Sequence, residues 1–268
     1  MKQNLTFATV EMPSITLAEK KTPYQHVQIV QTKQFGKIAL LDRIVQFSEK
    51  DEGFYHESFV HPGMALHESP KNVLIIGGGD GGTLREALKH PIESATLVEI
   101  DGEAMELMRA HIPLAEEAFT DKRTTVIIGD GFAHLHETQN TYDIILLDLS
   151  DPEGPAEKLY QEGFYQTVKK ALAPGGILIS HTPTADYYAH QTQPIIRALS
   201  KTFATVTPYF EFVPSYFCSM TFAIASDTAR TNTVAKTLTE RKILLKTYTP
   251  EQLQNLLLPS AHLKDIKI

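Results

Sequence analysis

Tryptophan is absent from this 268-residue chain, and cysteine occurs once, at Cys218. A disulfide within the chain is therefore impossible, and a cysteine-rich metal site is excluded. A cytoplasmic location is the default expectation for such a chain. Long apolar runs are missing too. Every apolar stretch falls short of the ~20 residues that span a bilayer, so no membrane partner is expected. Met1-Lys2-Gln3-Asn4 opens without the apolar core of a signal peptide, so secretion is not expected. Positive charge is in deficit: 25 Lys and Arg against 32 Asp and Glu leave a net charge of −7. Binding a phosphate backbone needs a basic surface, so nucleic acid is not expected as a partner. The same acidity suits a cationic ligand, and equally plain solubility. The eleven histidines include no His-Glu-x-x-His pair, and His134 and His136 flank one residue of an expected helix, where they diverge. No metal site is expected.

What is present is enough apolar material, 42% of residues, for one large or two small domains. Residues 1 to about 58 carry short alternating runs at 26–31, 37–41 and 44–47, which read as a small antiparallel β domain. From residue 59 to 268 the pattern changes. Asn72-Val73-Leu74-Ile75-Ile76 is a continuous apolar run, as in a strand buried on both faces. Further strands are expected at 95–99, 125–128, 143–147, 176–180, 205–210 and 220–225. Helices are expected after the glycine loop to Lys89, then at 102–111, 157–172, 190–202, 229–241 and 250–257. This alternation predicts a Rossmann-like, doubly wound parallel sheet with helices on both faces.

Gly77-Gly78-Gly79-Asp80-Gly81-Gly82 fits G-x-G-x-x-G between a buried strand and a helix, and Glu99 ends the next strand about twenty residues later. Glycines let the backbone approach a ligand, and an acid at that distance receives ribose hydroxyls, so an adenosine-type ligand is expected. Asp80 inside the loop would repel a pyrophosphate, which disfavours NAD and FAD, and would attract a ligand ending in an ammonium. Asp130, Asp148 and Asp151 also fall at strand ends, where open α/β sheets bind ligands. Each could instead cap a helix. As a set, converging carboxylates call for a cation or hydrogen bonds to offset them.

The motifs together resemble those of spermidine synthases. The likeness runs through Gln25, Phe35-Gly36, Leu41-Asp42, Val45-Gln46, Glu49-Lys50-Asp51-Glu52 and Tyr55-His56-Glu57. It continues with Val73–Leu84, Arg85-Glu86 and Leu97–Asp101. Gly129-Asp130-Gly131, Asp148–Pro152 and Gly154-Pro155-Ala156 complete it. The resemblance implies a β domain before a methyltransferase-like domain, a homodimer or homotetramer, and no cofactor, the nucleoside sulfonium donor being a co-substrate. It implies that Gln25, Glu99, Asp130 and Gly131 hold the adenosine part, with Pro155 along the adenine. Asp80 would hold the donor's amino end. Tyr55, His56, Asp151 and Tyr216 would seat the acceptor amine, and Asp148 would act as acid/base. For Tyr55 and His56, interdomain packing is the alternative reading. The chain departs from the family pattern at Arg43, at Leu149, at His181-Thr182-Pro183 and at 214–219.

The activity implied is transfer of an aminopropyl group from decarboxylated S-adenosylmethionine to putrescine, or to agmatine, cadaverine or spermidine. A protonated alkylamine has a pKa near ~10 and is no nucleophile, so the site must take a proton, a task that falls to Asp148. A methyltransferase using intact S-adenosylmethionine is the first rival; its donor carboxylate would face Asp80. A non-catalytic nucleoside- or polyamine-binding module is the second.

Overall fold

The computed structural model describes residues 1–4, 9–150, 158–260 and 263. A short hairpin, β1 (Lys2–Asn4) and β2 (Thr9–Glu11), precedes a four-stranded antiparallel sheet. That sheet holds, in order, β3 (Ser14–Lys21), β4 (His26–Thr32), β5 (Gly36–Leu41) and β6 (Ile44–Ser48). The β5–β6 turn places Asp42 and Arg43 at φ 47° and 69°. This left-handed geometry is one that Asp tolerates and Arg adopts only at a cost.

Helix α1 (Glu52–Leu66) follows. It had no signature in the sequence, because a helix buried all round has no polar stripe to reveal a 3.6-residue period. Its residues 55–65 are buried throughout. The helix runs through the expected 58/59 boundary. Tyr55, Phe59, Val60 and Met64 join Val30, Ile38, Leu40 and Val45 of the small sheet to Val73, Ile75, Ile144 and Ile179 of the large one in a single apolar cluster.

The large sheet has the order β12-β13-β11-β10-β7-β8-β9. Its strands are β7 (Asn72–Gly77), β8 (Ser94–Glu99), β9 (Thr124–Ile128), β10 (Tyr142–Asp148), β11 (Leu172–Thr182), β12 (Thr205–Val213) and β13 (Cys218–Ser226). Helices α2 (Gly82–Leu88), α3 (Gly102–His111), α4 (Glu116–Thr120), α5 (Gly131–Glu137), α6 (Glu162–Ala171) and α7 (Ala185–Thr202) connect them. Helices α8 (Val234–Glu240) and α9 (Pro250–Asn255) complete the described elements. Neighbours β7, β8, β9, β10 and β11 pair in parallel.

The expected parallel arrangement holds from β11 to β9, and the place of the last two strands, which the sequence pattern leaves open, makes the edge mixed. β13 inserts between β11 and β12 and runs antiparallel to both. The reason is connection length. Only Pro214–Phe217 separates β12 from β13, a 3₁₀ turn closed by Phe217 at φ 58°. So short a link can make a hairpin but not a parallel crossover.

The last segment is tied to α1 by buried polar groups. Glu57, 1% exposed, accepts hydrogen bonds from the backbone N–H of Lys246, Thr247 and Tyr248 at 2.7–3.2 Å. Replacing this carboxylate strands three donors. Glu57→Ala is expected to lower the unfolding free energy by roughly 2–4 kcal/mol in urea titrations, a measurement that checks it directly.

Candidate active site

The carboxyl ends of β7, β8 and β10 open onto a cavity of about 250 Å³. β7 is the switch point of the sheet, since its chain neighbour β8 lies on one side and β10 on the other. Loops diverge there and leave a crevice. The small sheet roofs the crevice with Gln25, Leu41, Val45 and Gln46.

The glycine loop forms the floor. Gly77 stands at φ +81°, and a Cβ there would lie 2.1 Å from the carbonyl oxygen of Asp148. The N–H of Gly78 donates to that same oxygen at 3.0 Å. Only a chain without side chains can pass so close to β10. At Gly82 a Cβ would meet the His56 ring at 2.3 Å. The loop is thus molded to the main chain of Asp148 on one side and to the His56 ring on the other.

Asp148 ends β10 with its carboxylate against the cavity. Tyr55 Oη donates to Oδ1 at 2.6 Å and Thr83 Oγ1 donates to Oδ2 at 2.5 Å. Burial raises its pKa, Asp80 adds to the rise, and His56 with the two hydroxyl donors opposes it. Tyr55 itself is pushed well above the ordinary phenol range by burial and by Asp148, so it is a donor.

Asp80 lines the same cavity. Its Oδ1 accepts from the N–H of Gly82 at 2.6 Å and lies 3.3 Å from Nε2 of His56. His56 is 1% exposed, and its Nδ1 lies 2.8 Å from Oε2 of Glu52. Burial disfavours charge on this ring, but Asp80 and Glu52 outweigh it and push its pKa up to about 10. Glu52 is also buried; His56 and Arg85, whose Nη2 lies 2.6 Å from the same Oε2, hold it at about 2. His56 is therefore not on the cavity wall, where an amine-seating residue was expected. The residues that line the cavity include Tyr55, Asp80, Asp148 and Tyr216 and omit His56, because Gly82 and Asp80 cover the ring.

The other half of the cavity is lined by Gln25, Glu99, Asp130, Gly131 and apolar side chains. Glu99 accepts from the N–H of Asp101 at 2.8 Å, and burial pushes its carboxyl up to about 7. Gln25 Nε2 donates to Asp101 Oδ2 at 2.8 Å, which ties the small sheet to the end of β8. Asp130 caps α5 through the N–H of Phe132 at 2.8 Å and pairs with Lys158 at 2.6 Å. The helix-capping reading of Asp130 thus holds beside its place on the wall with Gly131. Met105, Met108 and Ile100 supply an apolar wall.

Gln25, Tyr55, Asp80, Glu99, Asp130, Gly131, Asp148 and Tyr216 are brought together around one cavity. Tyr216 donates its hydroxyl to the carbonyl of Gln46 at 2.5 Å, which clamps β12–β13 to the small sheet. Asp151 and Pro155 lie outside the described residues. Thr83, Glu52 and Arg85 were not foreseen as site residues. Thr83 could have been suspected as the first hydroxyl after the glycine loop and Glu52 as the i−4 neighbour of His56, but nothing local marks the pairing of Glu52 with Arg85, 33 residues away. His134 and His136 do diverge: one meets Tyr142 Oη at 3.2 Å, the other packs on Phe132. Among the described residues no group of three His, Cys, Asp or Glu could hold a metal ion, and no helix is long and apolar enough to cross a membrane.

The Spermine/spermidine synthase domain matches residues 52–236, and the Spermidine synthase tetramerisation domain matches residues 14–49. A polyamine aminopropyltransferase of Shouchella clausii (strain KSM-K16) is 39% identical over 227 residues, 84% of this chain and 82% of its own. A polyamine aminopropyltransferase of Thermoanaerobacter sp. (strain X514) is 41% identical over 217 residues, 79% of this chain and 77% of its own. A spermidine synthase solved in complex with the transition-state analogue AdoDATO superposes with a TM-score of 0.93 at 30% identity, covering 98% of this chain and 93% of that one. The spermidine synthase from Thermotoga maritima gives 0.91 at 30% identity, covering 98% and 92%.

The buried carboxylate–imidazole–carboxylate arrangement has a pH signature. His56 has its folded pKa raised to about 10 from 6.5, so its contribution to stability is complete below about pH 6.5 and declines as pH rises toward 10. Glu52 is depressed from 4.5 to about 2, so its share is complete above about pH 4.5 and is lost as pH falls toward 2. The destabilisation of His56→Asn relative to the parent is therefore expected to be largest near pH 5.5 and smaller at pH 10, by on the order of 3 kcal/mol in urea titrations.

Proposed function

The chain belongs to the spermine/spermidine synthase family, and from that premise we propose that it transfers the aminopropyl group of decarboxylated S-adenosylmethionine to putrescine, giving spermidine and methylthioadenosine. The observation that carries this reading is the pairing of Asp80 and Asp148 in one cavity that Glu99, Asp130 and Gly131 also line. A positively charged propylamine arm is what two carboxylates at that spot would favour. Intact S-adenosylmethionine would bring a third carboxylate against Asp80, so methyl transfer is the weaker reading.

In the proposed reaction Glu99 receives the ribose hydroxyls, and Asp130 with Gly131 holds the adenine. Lys158 now occupies Asp130 and would have to share or yield that carboxylate. Asp80 takes the ammonium of the donor's arm. The acceptor's amino group sits at Asp148 and Tyr55, and Tyr216 borders the same space. Asp151 and Pro155 remain proposed contributors. Asp148 accepts a proton from the ammonium, and the freed lone pair attacks the methylene carbon beside the sulfonium. The new C–N bond forms as the C–S bond breaks, its electron pair going to sulfur, and the leaving group departs as a neutral thioether. The product leaves as a secondary ammonium, which keeps its proton near neutral pH, and Asp148 passes the proton it took to solvent. A neutral leaving group needs no acid and no covalent enzyme intermediate, so the remaining task is alignment of nitrogen, carbon and sulfur. Glu99's raised pKa gives nucleoside binding a pH dependence, since hydroxyl donors favour its ionised form.

Assembly through the 14–49 region as a homodimer or homotetramer belongs to the same proposal. β3 presents exposed Ile15 and Leu17 on the outside of the small sheet, an apolar surface in keeping with it.

Two outcomes test this reading. Asp148→Asn is expected to bind the donor as the parent does and to lose turnover by about 10²–10⁴-fold, followed as methylthioadenosine release with putrescine and with a panel of other amines. Activity within a few-fold of the parent would remove Asp148 as the base. Methylthioadenosine itself is expected to bind more weakly at pH 5.5 than at pH 8, with proton release on binding below pH 7, measured calorimetrically in buffers of different ionisation enthalpy.

A further inference from the structure

One buried acid has no place in the chemistry above. Glu52 does not line the cavity, yet it is ionised, 9% exposed, and doubly held by His56 and Arg85 through one oxygen. Arg85 in turn is shared: its Nε lies 2.8 Å from Oε1 of Glu86, whose other oxygen meets His61 at 2.9 Å and Lys89 at 2.5 Å. Glu52 is thus anchored from behind by a rigid, charged α1–α2 contact. Its single link forward is the ring of His56.

The groups around that ring are few. From α1 come Glu52 and the edge of Tyr55, whose ring centroid is 5.1 Å away. The glycine loop gives Asp80, and Phe47 of β6 packs at 6.0 Å. Asp148 of β10 feels its charge without touching it, and Arg85 of α2 stands on the far side of Glu52. Asp148's own hydrogen-bond partners, Tyr55 and Thr83, are neutral. His56 is therefore the cation that offsets Asp80 for Asp148.

We propose that Glu52 is a positioning residue of the reaction: it holds His56 as a cation against Asp80, and through that charge keeps Asp148 ionised and able to take the acceptor's proton. The inference rests on the proposed aminopropyl transfer, in which Asp148 is the base. Its physical content is a charge balance. With His56 neutral, Asp80 and Asp148 would face one cavity with only hydroxyl and amide donors to offset them, and one carboxylate would hold a proton. The ring is held through Nδ1 by Glu52 and faces Oδ1 of Asp80 with Nε2 at 3.3 Å.

The test is the pH profile of methylthioadenosine release under kcat/KM conditions for the amine. Glu52→Gln keeps the shape of the side chain and removes its charge. The acid limb is expected to move up by about one pH unit, so activity falls about tenfold on the acid side and recovers toward the parent value above the shifted limb. His56→Gln, which removes the cation itself, is expected to give the same displacement, and the double variant no further one. A loss of equal size at every pH, or an unmoved limb, overturns the proposal. A parent enzyme that releases no methylthioadenosine with any amine overturns the proposed function instead, so the two failures are distinct. If neither variant folds, ¹⁵N-histidine NMR of the parent decides: a His56 ring protonated at both nitrogens at pH 8 supports the proposal, and a neutral ring overturns it.

Discussion

The site depends on how closely the Gly77–Gly82 backbone passes the end of β10. A side chain at Gly77 would collide with the main chain of Asp148, and one at Gly78 would reach its carboxylate at 2.9 Å. Because the loop has none, its N–H groups and Asp80 arrive beside Asp148 rather than a side chain's width away. The cavity, the pairing of the two aspartates and the seat of the His56 ring against Gly82 all follow from that approach. A ligand that fits there meets protein backbone on one face and the small sheet on the other.

Bringing two carboxylates to one wall has an electrostatic cost that the fold offsets in two ways. Hydroxyl donors from Tyr55 and Thr83 serve Asp148, while a buried cation serves Asp80. The cation is supported in turn by Glu52 and Arg85, so the charge is distributed along α1 and α2 rather than concentrated at the cavity. Removing any one member of such a chain leaves a buried charge uncompensated. The arrangement leaves the cavity itself negative, in keeping with the acidic balance of the whole chain and with a cationic ligand.

Helix α1 is the element that makes this possible. It carries Glu52, Tyr55 and His56 on the side of the site and Glu57 toward the C-terminal segment, and it packs its apolar residues into a core shared by both sheets. Substitutions in α1 act on the site and on stability together. Tyr216 closes the arrangement from the other side by bonding to Gln46, so that the β12–β13 turn and the small sheet frame the same opening.

Much of this was legible in the chain. The continuous apolar run at 72–76, the glycines after it and Glu99 at the end of the next strand are local signals, and strand ends in such sheets converge by topology alone. Hence Asp80, Glu99, Asp130 and Asp148 could be placed on one rim before any coordinates. Helix α1 could not, because periodicity reports a contrast between faces and α1 has none. The reversal of β13 depended on which strand it joined. The covered position of His56 against Asp80, and the support of Glu52 by Arg85, depended on contacts between residues far apart in sequence. Local pattern determines which residues end a strand or turn a loop, since those are short-range steric and solvation effects. Which charge neutralises which is decided only when the chain has packed, because burial and distance, the two quantities that set those energies, do not exist before then.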